Sequence, residues 1–160
     1  KLFKTSIFEN VKMGNKDATD EEVMTALRLA RCEDILEKFP EREKTIIGSK
    51  GVYLSGGEIQ RIAIARAILK NADIIIMDEA SAAADPENEY EIQQAFSNLM
   101  KNKTVIMIAH RLSSIKNVDE ILLVEEGNIV ERGSHAELMQ KAGKYCHLQK
   151  LYSKANDWRV

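Results

Sequence analysis

Three short groups of residues in this chain have the types and spacing to do chemistry on an anionic ligand: Leu54-Ser55-Gly56-Gly57-Glu58, Asp78-Glu79 and His110. Ser55-Gly56-Gly57 stands at the start of a helical stretch, where unpaired backbone amides and the helix dipole attract anions. Two glycines there let the backbone come close to a ligand oxygen. Taken alone, the string also fits an ordinary cap and turn. Asp78-Glu79 ends an apolar run, so its carboxylates emerge at the edge of a sheet, the usual ligand crevice of layered α/β folds. Two adjacent acids suit two tasks, one orienting magnesium and the other handling an attacking water. Magnesium prefers a few carboxylates and keeps several waters. An isolated acidic pair can equally cap the exit of the chain from the sheet. His110 follows the apolar run 104–109 as Asp78 follows its own, which puts both at the same edge; a single histidine there also suits a satisfied core position. His135 and His147 fall on or near a surface helix and are assigned no role.

The elements that must position these groups are legible from period and caps. Thr19-x-x-Glu22 is a capping box, and Val23, Ala26, Leu27 and Ala30 follow at helical spacing, which predicts an amphipathic helix over 20–31. A short helix runs on to about Lys38 and stops before Pro40, because the residue before proline avoids the helical region. Residues 41–53 read as loop. Ser55 caps a helix with few polar positions, expected to be largely buried. The runs 72–77 and 104–109 predict strands covered on both faces. Between them Asp85-Pro86 opens a helix whose inner face is Ile92, Ala95, Phe96 and Leu99. Ile121–Val124 and Asn128–Arg132 predict a hairpin turning at Glu126-Gly127. Ser134-x-x-Glu137 is a further capping box and opens a terminal helix.

The alternation of buried strand and helix argues a layered α/β architecture. Helices dominate 10–53 and strands 72–132, so two subdomains are expected, about 10–70 and about 71–160. Composition supports a globular chain: 44% hydrophobic and 30% charged residues exclude disorder. A net charge of −2 gives no field to attract nucleic acid or an anionic membrane. Two distant cysteines, Cys32 and Cys146, make neither a disulfide framework nor a metal spacing and favour a reducing, cytosolic setting. The longest apolar runs have strand length and do not span a bilayer.

Leu54-Ser55-Gly56-Gly57-Glu58-Ile59-Gln60-Arg61 resembles, almost letter for letter, the signature motif and following helix of the ATP-binding cassette (ABC) ATPases. With Asp78-Glu79 as Walker B and Ala109-His110-Arg111-Leu112 as the switch-histidine segment, the order also resembles that family, over the whole chain. The resemblance implies an incomplete P-loop NTPase-type layered sheet with a mostly helical signature subdomain. It implies ATP and Mg2+ as ligands, with Asp78 holding Mg2+ through water, Glu79 polarising the hydrolytic water and His110 contacting the γ-phosphate. Ser55, Gly56, Gly57 and Glu58 would bind the ATP held by the opposite subunit, with Glu58 standing where many members carry glutamine. Asp85 would lie in the D-loop at the dimer interface. Ala82 and Ala84 replace the serine and leucine usual in that loop, which removes one polar contact of about 1 kcal/mol and implies weaker communication between the two sites, with hydrolysis retained.

Thr45-Ile46-Ile47-Gly48-Ser49-Lys50-Gly51 is similar to the loop that precedes the signature in ABC exporters and touches the membrane domain; Ser49 replaces the usual glutamate. Leu2-Phe3-Lys4-Thr5-Ser6-Ile7 is similar to the stretch after the glutamine loop, which faces the coupling helices. The implied protein is therefore the nucleotide-binding domain of an exporter, at the cytoplasmic face of a membrane, partnered by a second such domain and a transmembrane domain, with no nucleic acid. Two alternatives are a soluble ABC ATPase tied to no transporter and a non-catalytic partner subunit. The 160 residues contain no Gly-x-x-x-x-Gly-Lys-Ser/Thr phosphate loop. Losing four or more charge-assisted hydrogen bonds of about 1.5–3 kcal/mol each removes most of a micromolar affinity. The expectation is that these residues alone neither bind nor hydrolyse ATP. In the family the phosphate-loop strand lies between the strand leading to His110 and that at Ile121–Val124, so exposed strand edges are expected, with the chain self-associating, re-pairing its strands or forming part of a longer one.

Overall fold

The computed structural model describes residues 1–48, 51–78, 86–109, 112 and 115–157. Three helices begin at the predicted caps: Thr19 for α2 (Asp20–Leu29), Ser55 for α4 (Gly56–Lys70) and Ser134 for α6 (His135–Gln140). In each, a glutamate three residues on accepts the amide of the cap residue in return, a device whose cap alone contributes about 1 kcal/mol. α2 ends two residues short of the predicted 31, and Arg31 turns to a left-handed φ of 58°. α3 (Glu33–Glu37) follows and stops before Pro40, as the proline requires. The sequence reading missed α1 (Ile7–Lys12), a six-residue helix capped by Ser6, whose hydroxyl accepts the Glu9 amide at 3.1 Å. Residues 41–48 and 51–53 are mostly loop, interrupted by the 3-10 turn Arg42–Lys44.

The packing falls into two compact units, Lys1–Ile106 and Met107–Val160. In the first, α1, α2, α3, α4 and α5 (Pro86–Met100) share one core: Ile7 and Val11, Val23 and Leu27, Ile35 and Leu36, Ile62 and Ala65, Ile92 and Ala95. Burying each large aliphatic side chain contributes about 1.5–3 kcal/mol. Phe96 packs against that core and Leu99 is inside it, so the predicted inner face of α5 holds.

Strands form where the apolar runs place them, β1 (Ile74–Asp78) and β2 (Thr104–Ile108), and they pair with each other. Their coverage corrects the sequence reading. Both strands alternate in burial, with Ile74 and Ile76 at 59% and 71% exposure and Ile106 and Ile108 each at 52%. Among the described residues this sheet has only two strands, and Ile75 carries its packing onto the helical core from one face. A run of β-branched residues is suited to cover on both faces, but the cover must come from other elements.

In the second unit β3 (Ile121–Glu125) and β4 (Asn128–Gly133) form the predicted antiparallel hairpin. Glu126 and Gly127 take φ of 49° and 78°, the paired positive angles of a turn whose twist matches its strands. The expected single terminal helix is two, α6 and α7 (Lys144–Asp157), separated where Ala142 adopts a left-handed φ of 53°. Leu138 and Tyr145 of these helices pack with Ile121. No helix among the described residues is long and apolar enough to cross a membrane.

Candidate functional site

Ser55 and Gly56 form an exposed turn at the N-terminus of α4, a helix of 15 residues. Ser55 is extended at φ −65° and ψ 163°, and its hydroxyl oxygen accepts the Glu58 amide at 3.3 Å. A Cβ at Gly56 would meet no atom within 4 Å, so open space lies beside the backbone where a ligand oxygen could approach. Gly57 differs: it is buried, and a Cβ there would stand 3.3 Å from the side chain of Asn88 on α5. Of the two glycines, only Gly56 borders open space, and Gly57 lets two helices approach.

Glu58 is only 6% exposed. Its Oε2 accepts the Ser55 amide at 2.6 Å, closing the capping box, and its Oε1 accepts from Lys38 Nζ at 2.6 Å. Burial works against ionisation here, but Lys38 and the Ser55 backbone amide outweigh it and hold the carboxyl below its ordinary value of 4.5.

Arg61, the last letter of the quoted string, anchors this turn, a role the sequence reading did not assign. It is 1% exposed and grips Asp34 with both Nη atoms, at 2.7 and 2.8 Å. Nη1 also donates to the Arg31 carbonyl, and Nη2 reaches Asn88 Oδ1 at 3.4 Å. One guanidinium therefore ties α4 to the end of α2, the start of α3 and the first turn of α5. Its planar fork suits such bidentate contact. The signal in the sequence was a charged residue set among Ile59, Ile62 and Ile64 on a helix otherwise meant for burial. Cys32 lies beside this cluster, and burial pushes its thiol up to about 12, so it offers no nucleophile at neutral pH.

Farther along α4, Arg66 makes a second anchor. Its Nε donates to the Asn10 carbonyl at 2.8 Å and its Nη2 to Asn10 Oδ1 at 3.1 Å. Buried Asn10 in turn accepts from the Phe3 amide and donates to the carbonyls of Phe3 and Ser6. The stretch 2–7 is thereby fixed to α4. It also pairs with the second loop read as membrane-facing: Ser6 bridges Ile46, and the Ile47 amide donates to Thr5 O at 3.0 Å. Phe3 and Ile46 are each 56% exposed on these neighbouring segments.

Asp78 ends β1 with its side chain exposed. One accessible carboxylate at a strand end fits a magnesium ion held through water. Among the described residues no three carboxylate, histidine or cysteine groups gather as a metal site. Glu79, Asp85 and His110 lie outside the described residues. Leu112, two positions past His110, has its carbonyl held by Gln149 Nε2 at 3.1 Å, and the same nitrogen donates to the Tyr145 hydroxyl at 2.8 Å. That hydroxyl lies 2.8 Å from His135 Nδ1, so His135 serves packing in the second unit.

Comparison with known proteins identifies the family. The ABC transporter family profile matches residues 2–82. "ABC transporter B family member 4" of Dictyostelium discoideum is 50% identical over 147 residues, covering 92% of this chain and 19% of that protein. The "ATP-dependent lipid A-core flippase" of Chromobacterium violaceum is 45% identical over 150 residues, 94% of this chain and 26% of the flippase. Among solved structures, a bacterial Atm1-family ABC exporter with ATP bound superposes with a TM-score of 0.81 at 38% identity, over 93% of this chain and 26% of the exporter. The chain spans about a quarter or less of the length of these relatives. Half of the chain matches the profile and nearly all of it aligns with family members, so the chain belongs to the ABC transporter family.

Proposed function

We propose that this chain is part of the nucleotide-binding domain of an ABC exporter, which binds and hydrolyses Mg-ATP to drive movement of membrane helices. The observation that carries the reading is the Ser55-Gly56 turn: exposed, unobstructed, at the N-terminus of a long helix, and anchored from behind by buried Arg61. Amides and dipole at such a terminus favour phosphate. In this reading residues 10–70 form the signature subdomain and 71–160 the catalytic-core portion. Ser55 and Gly56, with the backbone of Gly57, complete the site of a second nucleotide-binding domain, while Glu58 holds their turn through the Ser55 amide, and Asp85 lies between the two. Asp78 would hold Mg2+ through water; the ion neutralises phosphate charge when bound. Glu79 orients and deprotonates the attacking water, and His110 contacts the γ-phosphate.

The neighbouring segments 2–7 and 45–48 offer Phe3 and Ile46 to a transmembrane partner, which favours the exporter over a soluble ATPase. The domain then sits at the cytoplasmic face of the membrane. The deciding experiment is E79Q in the full-length protein. ATP turnover should fall by at least about a hundredfold, the usual scale for losing a general base, while Mg-ATP still binds. Unchanged turnover would remove Glu79 from its role.

A further inference from the structure

Glu58 puts a full negative charge into the first turn of the helix that we assign to a partner's triphosphate. A carboxylate is a poor neighbour for phosphate, and the structure holds a specific answer. Lys38, at the C-terminal cap of α3, extends its ammonium to Glu58 Oε1 at 2.6 Å. The carboxylate is nearly buried, at 8% side-chain exposure, whereas the lysine side chain is 54% exposed. The other oxygen is fixed on the Ser55 amide. The remaining charges nearby are already paired elsewhere, Arg61 with Asp34 and Arg31 with Glu91. Among the described residues Lys38 is thus the cation that pairs with Glu58, and it reaches across from a separate helix.

We propose that Lys38 is a positioning residue for the signature turn: it cancels the charge Glu58 would present to bound phosphates and holds that carboxylate on the Ser55 amide. The inference rests on the phosphate-facing reading of Ser55-Gly56-Gly57. Its mark is sign-dependent coupling. Without Lys38, Glu58 repels the nucleotide; without both charges, the repulsion is gone. A lysine that only supports packing would not be rescued by neutralising its partner.

The test uses the full-length protein and binding of Mg2+ with a non-hydrolysable ATP analogue. K38M keeps the aliphatic stem and should weaken binding about tenfold at low salt, the scale of one unit charge at about 8 Å in an effective dielectric of about 30. K38R should bind as the parent does. K38M/E58Q should return to within about twofold of the parent. Raising ionic strength from about 0.01 M to about 1 M shortens the Debye length from about 30 to about 3 Å, so the K38M defect should shrink. Binding unchanged in K38M overturns the proposal. So does a K38M loss that persists undiminished in the E58Q background. G56D separates the two levels. If G56D leaves binding intact, the phosphate-facing reading falls and takes this inference with it. If G56D abolishes the partner-site contribution while K38M and E58Q act additively, only the role of Lys38 falls.

Discussion

Ile62 and Ile76 are the same side chain in neighbouring elements, and the fold treats them in opposite ways. Ile62 on α4 is 0% exposed, enclosed by helices on several sides, while Ile76 on β1 is 71% exposed. The helical cluster around α4 is complete in its own residues: aliphatic core, capped termini, and two arginines that join its elements. The sheet is not. β1 and β2 carry side chains suited to burial, and half of those side chains face outward. The signature turn therefore rests on a self-sufficient scaffold. The edge that bears Asp78 belongs to a sheet whose outer apolar face is exposed among the described residues.

The largest expected effect breaks that comparison directly. I62A should cost about 3 kcal/mol in denaturant unfolding, as buried isoleucine truncations do, and I76A less than about 0.5 kcal/mol. Equal costs would mean that the strand face is covered in solution. The cover can also be supplied by another copy. The 160-residue chain should self-associate in sedimentation, and I76K should reduce that association. A compact monomer at high concentration would contradict the self-association.

Next in size is the clamp. R61A removes a buried fork and strands the Arg31 carbonyl; we expect a loss of about 2 kcal/mol. D34N should cost about 1 kcal/mol, because Asp34 is 53% exposed and water can replace part of what it loses. If D34N matched R61A, the pair itself would dominate over the contacts to Arg31 and Asn88. These differences can be read from urea midpoints at constant slope.

Much of this architecture is legible in the chain. Capping boxes at Thr19, Ser55 and Ser134 start helices where predicted, since a cap is a local device whose partner lies three residues away. The hairpin at Glu126-Gly127 is local in the same sense. Strand existence was legible and strand burial was not, because burial is decided by neighbours distant in sequence. α1 escaped notice because six residues with a lone serine cap give too little periodicity. At the site, the turn at Ser55 and Gly56 was readable, but its anchors were not. Arg61 meets Asp34 and Lys38 meets Glu58 across 27 and 20 residues, and no local spacing encodes such pairs.

The smallest effect concerns the carboxylate that links the turn to its scaffold. Glu58 is held below its ordinary pKa of 4.5 in the fold, despite its burial, by Lys38 and by Ser55. A group whose folded pKa is depressed stabilises the protein above its unfolded pKa and loses that contribution as pH falls through the folded value. The stabilisation from Glu58 should therefore be constant near neutral pH and fade below about pH 4.5. E58Q keeps an acceptor for the Ser55 amide but has no charge for Lys38, so near neutral pH it should be less stable by about 1 kcal/mol. As pH drops below about 4.5 the two proteins should converge, since protonated Glu58 then resembles glutamine. Asp34 is also depressed, its pairing with Arg61 outweighing its burial, and it titrates in the same range in both proteins. Its contribution cancels in the difference. A gap between parent and E58Q that stayed constant down to about pH 3 would mean that packing of the side chain, and not its charge, holds the turn. The helical scaffold would then owe its order at this point to shape alone, as it does around Ile62.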